Sequence, residues 1–199
     1  MKKSILYISI LLLFVVGCEE SLEFEVKDKL TLENFFLTAD DAMASVNGVY
    51  DVLGQVDQYN SSLWLIQDIS SDDCDANSTW NDPNAQQFDR YTLQANNNYT
   101  TNIWKTSYDL ISRANLSIDS IPVVEMDESL KNRLVGEAKF LRGLIYFNLV
   151  RLFGGVPLIL HPETDIDAYL VPRADAELVY DQIISDLEDA SSNLPTSYG

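Results

Sequence analysis

Residues 137–158, EAKFLRGLIYFNLVRLFGGVPL, decide the fold of this chain. They continue an apolar segment that begins near Asp127 and ends at Phe153, where two glycines and then a proline stop a helix. On a helical wheel only a wedge of about 60° is not apolar. That wedge contains Gly136, Asn132, Gly143 and Lys139. A helix that is apolar over most of its circumference must be packed by several neighbours, so the sequence predicts a central helix over 127–153.

Two features of this helix concern its packing. Gly136 and Gly143 lie on one side, where missing side chains let another backbone come close; the alternative is two tolerated glycines that cost about 1 kcal/mol each. Arg142 and Arg151 lie on opposite sides. Because a buried guanidinium needs a partner, each is expected to meet an acid from a neighbouring helix or to reach water past apolar surface. A structural ion pair is favoured over a ligand clamp.

Other segments also have helical periodicity. Residues 39–53 follow Thr38, whose hydroxyl can cap a helix, and apolar residues recur at helical spacing until a glycine. Residues 103–121 have an apolar stripe that ends at Pro122. A shorter apolar stretch, 63–69, is of uncertain type. These patterns predict two long helices in the first part of the chain.

Residues 175–194 predict a two-faced helix. Its broad apolar side is formed by Ala176, Val179, Tyr180, Ile183, Ile184, Leu187, Ala190 and Leu194. The other side contains Asp181, Ser185, Asp186, Glu188 and Asp189, which we expect to be a solvated face and not a site.

Residues 70–101 are rich in Asp, Asn, Gln, Ser and Thr and predict a long irregular loop. Long loops in compact domains are usually functional or disordered. The helices are otherwise joined by short turns, which places consecutive helices antiparallel. The sequence therefore predicts an all-α fold of stacked helical hairpins with long irregular loops.

The first 18 residues are typical of a secreted lipoprotein. Lys2 and Lys3 precede an apolar run, 5–16, that is too short to span a bilayer, for which about 20 residues are needed. The run matches the core of a cleaved signal peptide. The sequence Val-Val-Gly-Cys at its end resembles the bacterial lipobox, where the thiol is acylated and the chain is cut just before it. We expect residues 1–17 to be removed and Cys18 to carry the lipid.

Charge narrows the classes of partner. The chain has 13 basic and 31 acidic residues, and loss of Lys2 and Lys3 with the signal changes the net charge from −18 to −20. Such a surface repels phosphate backbones, which excludes nucleic-acid binding. Residues 18–34 predict an acidic tether and 35–199 one helical domain. Cys74 is the only other cysteine, so no intrachain disulfide forms.

The stretch 137–158 closely resembles the signature of the SusD/RagB family of nutrient-binding outer-membrane lipoproteins of Bacteroidetes. Residues 171–195 resemble the next helix of that family and its exit. Upstream, Asn-Gly-Val-Tyr at 47–50 and Ser-Asp-Asp at 71–73 occur in the expected order.

The resemblance implies a tetratricopeptide-like helical scaffold that covers a SusC-like, TonB-dependent transporter and captures oligosaccharides or other nutrients for import. The acidic residues 19–23 resemble the tag that sends such lipoproteins to the cell surface, which implies an outer-membrane, lipid-anchored protein facing the exterior. Family members are typically more than twice this length. The chain is therefore expected to correspond to the N-terminal part of a family member. A truncated fragment that binds no ligand is the alternative.

Ligand contact is predicted in the loop. Sugars stack on planar aromatic faces and hydrogen bond to amides and carboxylates, and residues 70–101 offer both. Trp80 is the candidate stacking residue, with Asn81 beside it, because it lies outside any helical stripe. Packing of Trp80 under its own loop is the alternative. Trp104, in contrast, is explained as a core residue of its helix.

The sequence predicts neither an enzyme nor a metal or cofactor site. There is one histidine, His161, and no Gly-x-Ser-x-Gly elbow, phosphate-binding glycine loop or cysteine pair for zinc. Residues 73–77 imitate the start of a calcium loop, but Ser78 replaces the glycine and Asn84 the bidentate acid. Two functions remain, nutrient capture and a structural helical-repeat adaptor of the envelope. The SusD-like signature and the acidic residues after Cys18 favour capture.

Overall fold

The computed structural model describes residues 35–76, 81–162 and 170–197. Within them the elements are, in order, α1 (Ala39–Leu53), an irregular helical turn (Val56–Asn60), α2 (Ser62–Ile69), α3 (Pro83–Asp89), α4 (Asn98–Ser120), a 3-10 turn (Ile121–Val123), α5 (Glu128–Phe153) and α6 (Ala176–Asn193). The only extended pairing among these residues is an isolated antiparallel bridge between Pro157 and Arg173. The predicted all-α class is confirmed. None of the helices described is long and apolar enough to cross a membrane.

Helix α1 has the bounds that the sequence predicts, and its start shows why. The Thr38 hydroxyl accepts a hydrogen bond from the Asp41 backbone amide at 3.3 Å, and the Asp41 carboxylate accepts one from the Thr38 amide at 2.8 Å. This reciprocal pair satisfies two amides that a helix start otherwise leaves free. The Thr38 hydroxyl also lowers the pKa of the Asp41 carboxyl.

Helix α5 is the central helix, as predicted. It packs against α1, α4 and α6, and it contributes Leu141, Ile145 and Leu149, all fully buried, to the main core. Residue pairs between α4 and α5 run in opposite directions, from Trp104 with Phe153 to Asn115 with Arg142. The two helices are therefore antiparallel, as the hairpin prediction requires.

The glycine wedge of α5 faces α6. A Cβ atom on Gly136 would lie 3.2 Å from the Asn193 Cβ, and one on Gly143 would lie 3.4 Å from the Asp186 Cβ. The first distance is tighter than ordinary van der Waals contact, and the second is at its lower limit. The predicted close approach is confirmed. Lys139, in the same wedge, pairs with Asp189 of α6.

The predicted faces of α6 are partly wrong. Val179, Ile183 and Ala190 are buried, but so is Asp186, whereas Ile184 is 52% exposed. Tyr180 and Leu187, also assigned to the apolar side, are exposed as well. Among the described helices α6 contacts chiefly α5, so only a narrow stripe is covered. That stripe includes the acid because α5 presents Arg142 to it.

The predicted loop over 70–101 is partly wrong, since it contains α3 and the first turn of α4. The Asp82 side chain accepts from the amides of Asn84 and Ala85, and Pro83 occupies the first position of α3. Asn97 caps α4 in the same way. Asp, Asn and Pro favour both loops and helix starts, so composition alone did not separate the two. The uncertain stretch 63–69 is helical.

Candidate functional site

An aromatic cluster forms where α4 and α5 meet. The Trp104 ring lies 5.1 Å from the Tyr108 ring and 5.1 Å from the Phe153 ring, measured between centroids, and it meets Phe153 edge to face. The Tyr108 hydroxyl donates to the Pro157 carbonyl at 2.7 Å. Burial raises the pKa of Tyr108, so the phenol stays a neutral donor. Trp104 was predicted to be a core residue, but it is only partly buried.

Trp104 forms part of the wall of a cavity of about 550 Å³, which we call the main cavity. Helix α4 contributes Thr100, Thr101, Trp104 and Lys105 to its lining. The rest comes from residues 93–95, Phe153 and Arg173. The lining thus combines aromatic rings, two hydroxyls, the Gln94 amide and two cations. Planar rings with hydrogen-bonding groups beside them are what a sugar requires.

Trp104 also borders a second cavity of about 210 Å³, the side cavity. Its other lining residues include Tyr108 and Ile111 of α4 and the segment that follows α5, with Pro157 and Ile159. This lining is mainly apolar. The side cavity therefore offers ring contacts but few groups that recognise hydroxyls.

A buried polar network fixes the segment after α5, and with it one wall of the side cavity. The Tyr146 hydroxyl donates to the Ile159 carbonyl at 2.9 Å and accepts from the Ile159 amide at 2.7 Å. Asn115 donates to the same carbonyl at 2.9 Å. Burial raises the pKa of Tyr146 to about 12. These bonds satisfy backbone groups that no regular element pairs.

Arg142 is the centre of this network. Its Nε and Nη2 donate to the two Asp186 carboxylate oxygens at 2.8 and 2.7 Å, and its Nη1 donates to Asn115 at 2.8 Å and to the Leu160 carbonyl at 3.1 Å. The predicted structural ion pair is confirmed for Arg142, which is 5% exposed and so is not available to a ligand. Arg151 instead lies exposed over the Phe147 ring, 5.0 Å from its centroid.

Of the candidate residues from the sequence, only Asn81 lies within the described residues. Trp80 is outside the described residues, as are Cys18 and the segments 1–17 and 18–34. Asn81 is exposed and precedes Asp82, whose carboxylate accepts the Tyr99 hydroxyl at 2.6 Å. Neither described cavity counts Asn81 among its lining residues.

The hydrogen bond at the start of α3 affects both of its partners. Burial, and then Asp82 itself, raise the pKa of Tyr99 to about 12. Burial opposes ionisation of Asp82, but hydrogen bonds from Tyr99 and from backbone amides of α3 lower the pKa of this carboxyl overall. Asp82 is therefore a charged residue that caps α3 and hydrogen bonds to Tyr99 of α4. Asn81 directly precedes this capping residue.

Sequence reasoning missed Lys105 and Arg173 as site residues. Lys105 follows Trp104 on α4, and no sequence motif distinguishes it from other lysines on a helix surface. Arg173 reaches the cavity only because the backbone bridge to Pro157 brings it to the end of α5. In the described ranges no three His, Cys, Asp or Glu side chains are grouped as metal ligands would be. Cys74 is exposed and free.

The fold and cavities define a class: a helical scaffold with an aromatic-walled cavity. Residues 25–199 match the SusD-like family described as starch-binding and associating with the outer membrane. Two SusD-like proteins of Formosa agariphila are 30% and 32% identical to this chain over 98% and 94% of its length. The chain belongs to the SusD-like family. It spans 39% and 37% of the lengths of these two curated relatives.

Solved structures agree with this assignment. A laminarin-binding SusD-like protein superposes with a TM-score of 0.72 at 35% identity, over 80% of this chain and 35% of its own. The SusD-like neighbours have the all-helical, tetratricopeptide-like fold, so this part of the prediction is also confirmed.

Proposed function

We propose that this chain captures glycans at the main cavity, outside the cytoplasm, for import by a SusC-like, TonB-dependent transporter of the outer membrane. The observation that carries the proposal is the Trp104 and Phe153 wall beside the Thr100 and Thr101 hydroxyls. Aromatic rings bind the apolar face of a sugar, and the hydroxyls bind its rim. The similar laminarin-binding structure supports a glycan as the ligand.

The proposal predicts that glycan binding depends on Trp104. The protein for the test is residues 18–199 with Cys18→Ser, so that no lipid is attached, titrated calorimetrically with a panel of oligosaccharides that includes laminarin fragments. Because loss of a stacked ring removes about 1 kcal/mol or more, Trp104→Ala should weaken binding about fivefold to tenfold. Trp104→Phe, which keeps a ring and fills most of the volume, should weaken it less.

The matched control is Trp64→Ala. Trp64 is 51% exposed on α2 and lines neither cavity, so this variant should bind as the unmodified chain does. Trp80→Ala, measured alongside, tests the stacking role that the loop sequence predicts for Trp80. If no glycan binds, capture is contradicted and the structural adaptor is the better function.

We also propose that residues 1–17 are removed and that lipid on Cys18 anchors the chain, with 18–34 as tether and 35–199 as the helical domain. Two or more acyl chains suffice for stable membrane attachment. In the native host, labelled palmitate should enter the protein, and Cys18→Ala should abolish the label and move the protein out of the membrane fraction.

Cys74→Ala is the control for this labelling, because Cys74 is the other cysteine of the chain and is exposed. It should leave both label and location unchanged. Label that persists in Cys18→Ala and disappears in Cys74→Ala would contradict the anchor. Recovery of the unmodified chain in the cytosol would contradict it too.

A further inference from the structure

The described lining of the main cavity carries positive charge in a chain that is strongly acidic. Of the described residues that line it, Lys105 and Arg173 are charged, and none is Asp or Glu. The whole chain carries 31 acidic residues against 13 basic ones. The charge of the described lining is therefore opposite in sign to the net charge of the whole chain.

Neither cation is neutralised by a carboxylate of the described residues. Arg173 donates to the Phe153 carbonyl at 3.1 Å, and its guanidinium lies 5.9 Å from the centroid of the Trp104 ring. Lys105 is exposed on the next position of α4, within the same lining. Five other cations each form an ion pair with an acid: Arg113, Lys131, Arg133, Lys139 and Arg142. Arg151, in contrast, lies over the Phe147 ring.

The start of α4 adds to this potential. Thr100 and Thr101 lie in the first turn of a helix of 23 residues, so the positive end of the helix dipole lies beside the same cavity. The Asn97 side chain accepts hydrogen bonds from the amides of Tyr99 and Thr100, so these two amides are not free to bind a ligand. The helix dipole remains. The dipole thus supports an anion that Lys105 and Arg173 would contact.

We propose that the main cavity selects sugars that carry a negative charge, as a uronate carboxylate or a sulfate ester. Arg173 and Lys105 bind the anionic group by charge-assisted hydrogen bonds, while Trp104 contacts the ring. Arg173 is suited to this because its fork matches two oxygens of either group. The inference rests on the proposed function and names the ligand class of that same cavity.

The test compares charged and neutralised forms of the same backbone. The lipid-free chain is titrated with oligogalacturonates and their methyl esters, with carrageenan oligosaccharides and their desulfated forms, and with laminarin fragments. At least one charged probe should bind tenfold or more tightly than its neutralised form. The two charged probes distinguish carboxylate from sulfate. Because exposed ion pairs are screened, raising NaCl from 50 to 500 mM should weaken that binding.

Two variants assign the effect to the cavity. Lys105→Gln with Arg173→Gln should weaken binding of the charged probe at least tenfold and binding of any neutral probe much less. Lys105→Gln alone, at an exposed position, keeps the test valid if the double variant is unstable. Lys131→Gln, which removes the same charge outside this cavity, should have no effect.

Failure of the inference differs from failure of the proposed function. Binding of laminarin or a neutralised probe as tightly as of the charged forms would overturn the anionic ligand and retain glycan capture. Equal loss of affinity in Lys131→Gln would also overturn it, because a general charge effect would then explain the preference. Absence of binding to every probe would overturn both.

Discussion

Asp186→Ala is expected to destabilise the protein by about 3–5 kcal/mol, measured as the free energy of unfolding in urea. Asp186 and Arg142 are 1% and 5% exposed, and the carboxylate accepts two hydrogen bonds from the guanidinium. Removing the acid leaves a buried cation without its counter-charge, which is costly in an interior of low polarity. For a domain whose total stability is about 5–15 kcal/mol, such a loss is a large share.

Asp189→Ala is the matched control. Asp189 bridges the same two helices through Lys139, but the Asp189 side chain is 50% exposed. Water solvates an exposed charge that loses its partner, so the expected cost is below about 1 kcal/mol. Similar losses for Asp186→Ala and Asp189→Ala would contradict the role of burial. Replacing Arg142 and Asp186 together by Met and Leu should recover much of the stability that Asp186→Ala loses.

Gly155→Ala should be the second damaging change, with a loss of about 2–3 kcal/mol in the free energy of unfolding. A Cβ atom on Gly155 would overlap the backbone carbonyl oxygen of Ala174. The contact cannot relax by a side-chain rotation, because the carbonyl belongs to the backbone and the backbone fixes the position of a Cβ atom. The Ala174 amide donates to the Val156 carbonyl at 3.0 Å, so a shift would disturb the bridge that positions Arg173.

Gly48→Ala is the matched control, because it is the same substitution at a position with room for a Cβ atom. A Cβ atom on Gly48 would have its nearest neighbour, Arg113 Nη1, at 3.9 Å, which is ordinary contact. Because alanine favours a helix interior over glycine, this variant should gain about 0.5–1 kcal/mol. Opposite signs for the two glycines are therefore expected in one thermal denaturation series. A neutral Gly155→Ala would show that the segment after α5 is not fixed as described.

Much of the fold could be predicted because its signals are local. The Thr38 cap and apolar spacing set α1, and the glycines after Phe153 set the end of α5. The glycine wedge on α5 even predicted a close helix neighbour. Helix α3 was missed because Asp82 and Pro83 are as common in loops as at helix starts.

The candidate site could be predicted less well. The loop composition favoured Trp80 and Asn81. Trp80 lies outside the described residues, and the described lining of the main cavity includes Trp104, Phe153 and Arg173 but not Asn81. These three residues lie far apart in the chain, and each has an ordinary local explanation. Trp104 fits the apolar stripe of α4, and its partial exposure depends on where the segment after α5 passes. No local pattern encodes that path.

The sequence by itself determined the helices α1, α4, α5 and α6, the antiparallel order of α4 and α5, and the central position of α5, because periodicity, caps and glycines act over a few residues. Only the tertiary structure decided which acid of α6 is buried and where the cations gather. An aspartate on a helix surface looks solvated until a partner such as Arg142 lies opposite, since its burial is favourable only as part of the pair. The main cavity likewise exists only when α4, α5 and the Arg173 segment meet, so its charge and shape are properties of the packed chain.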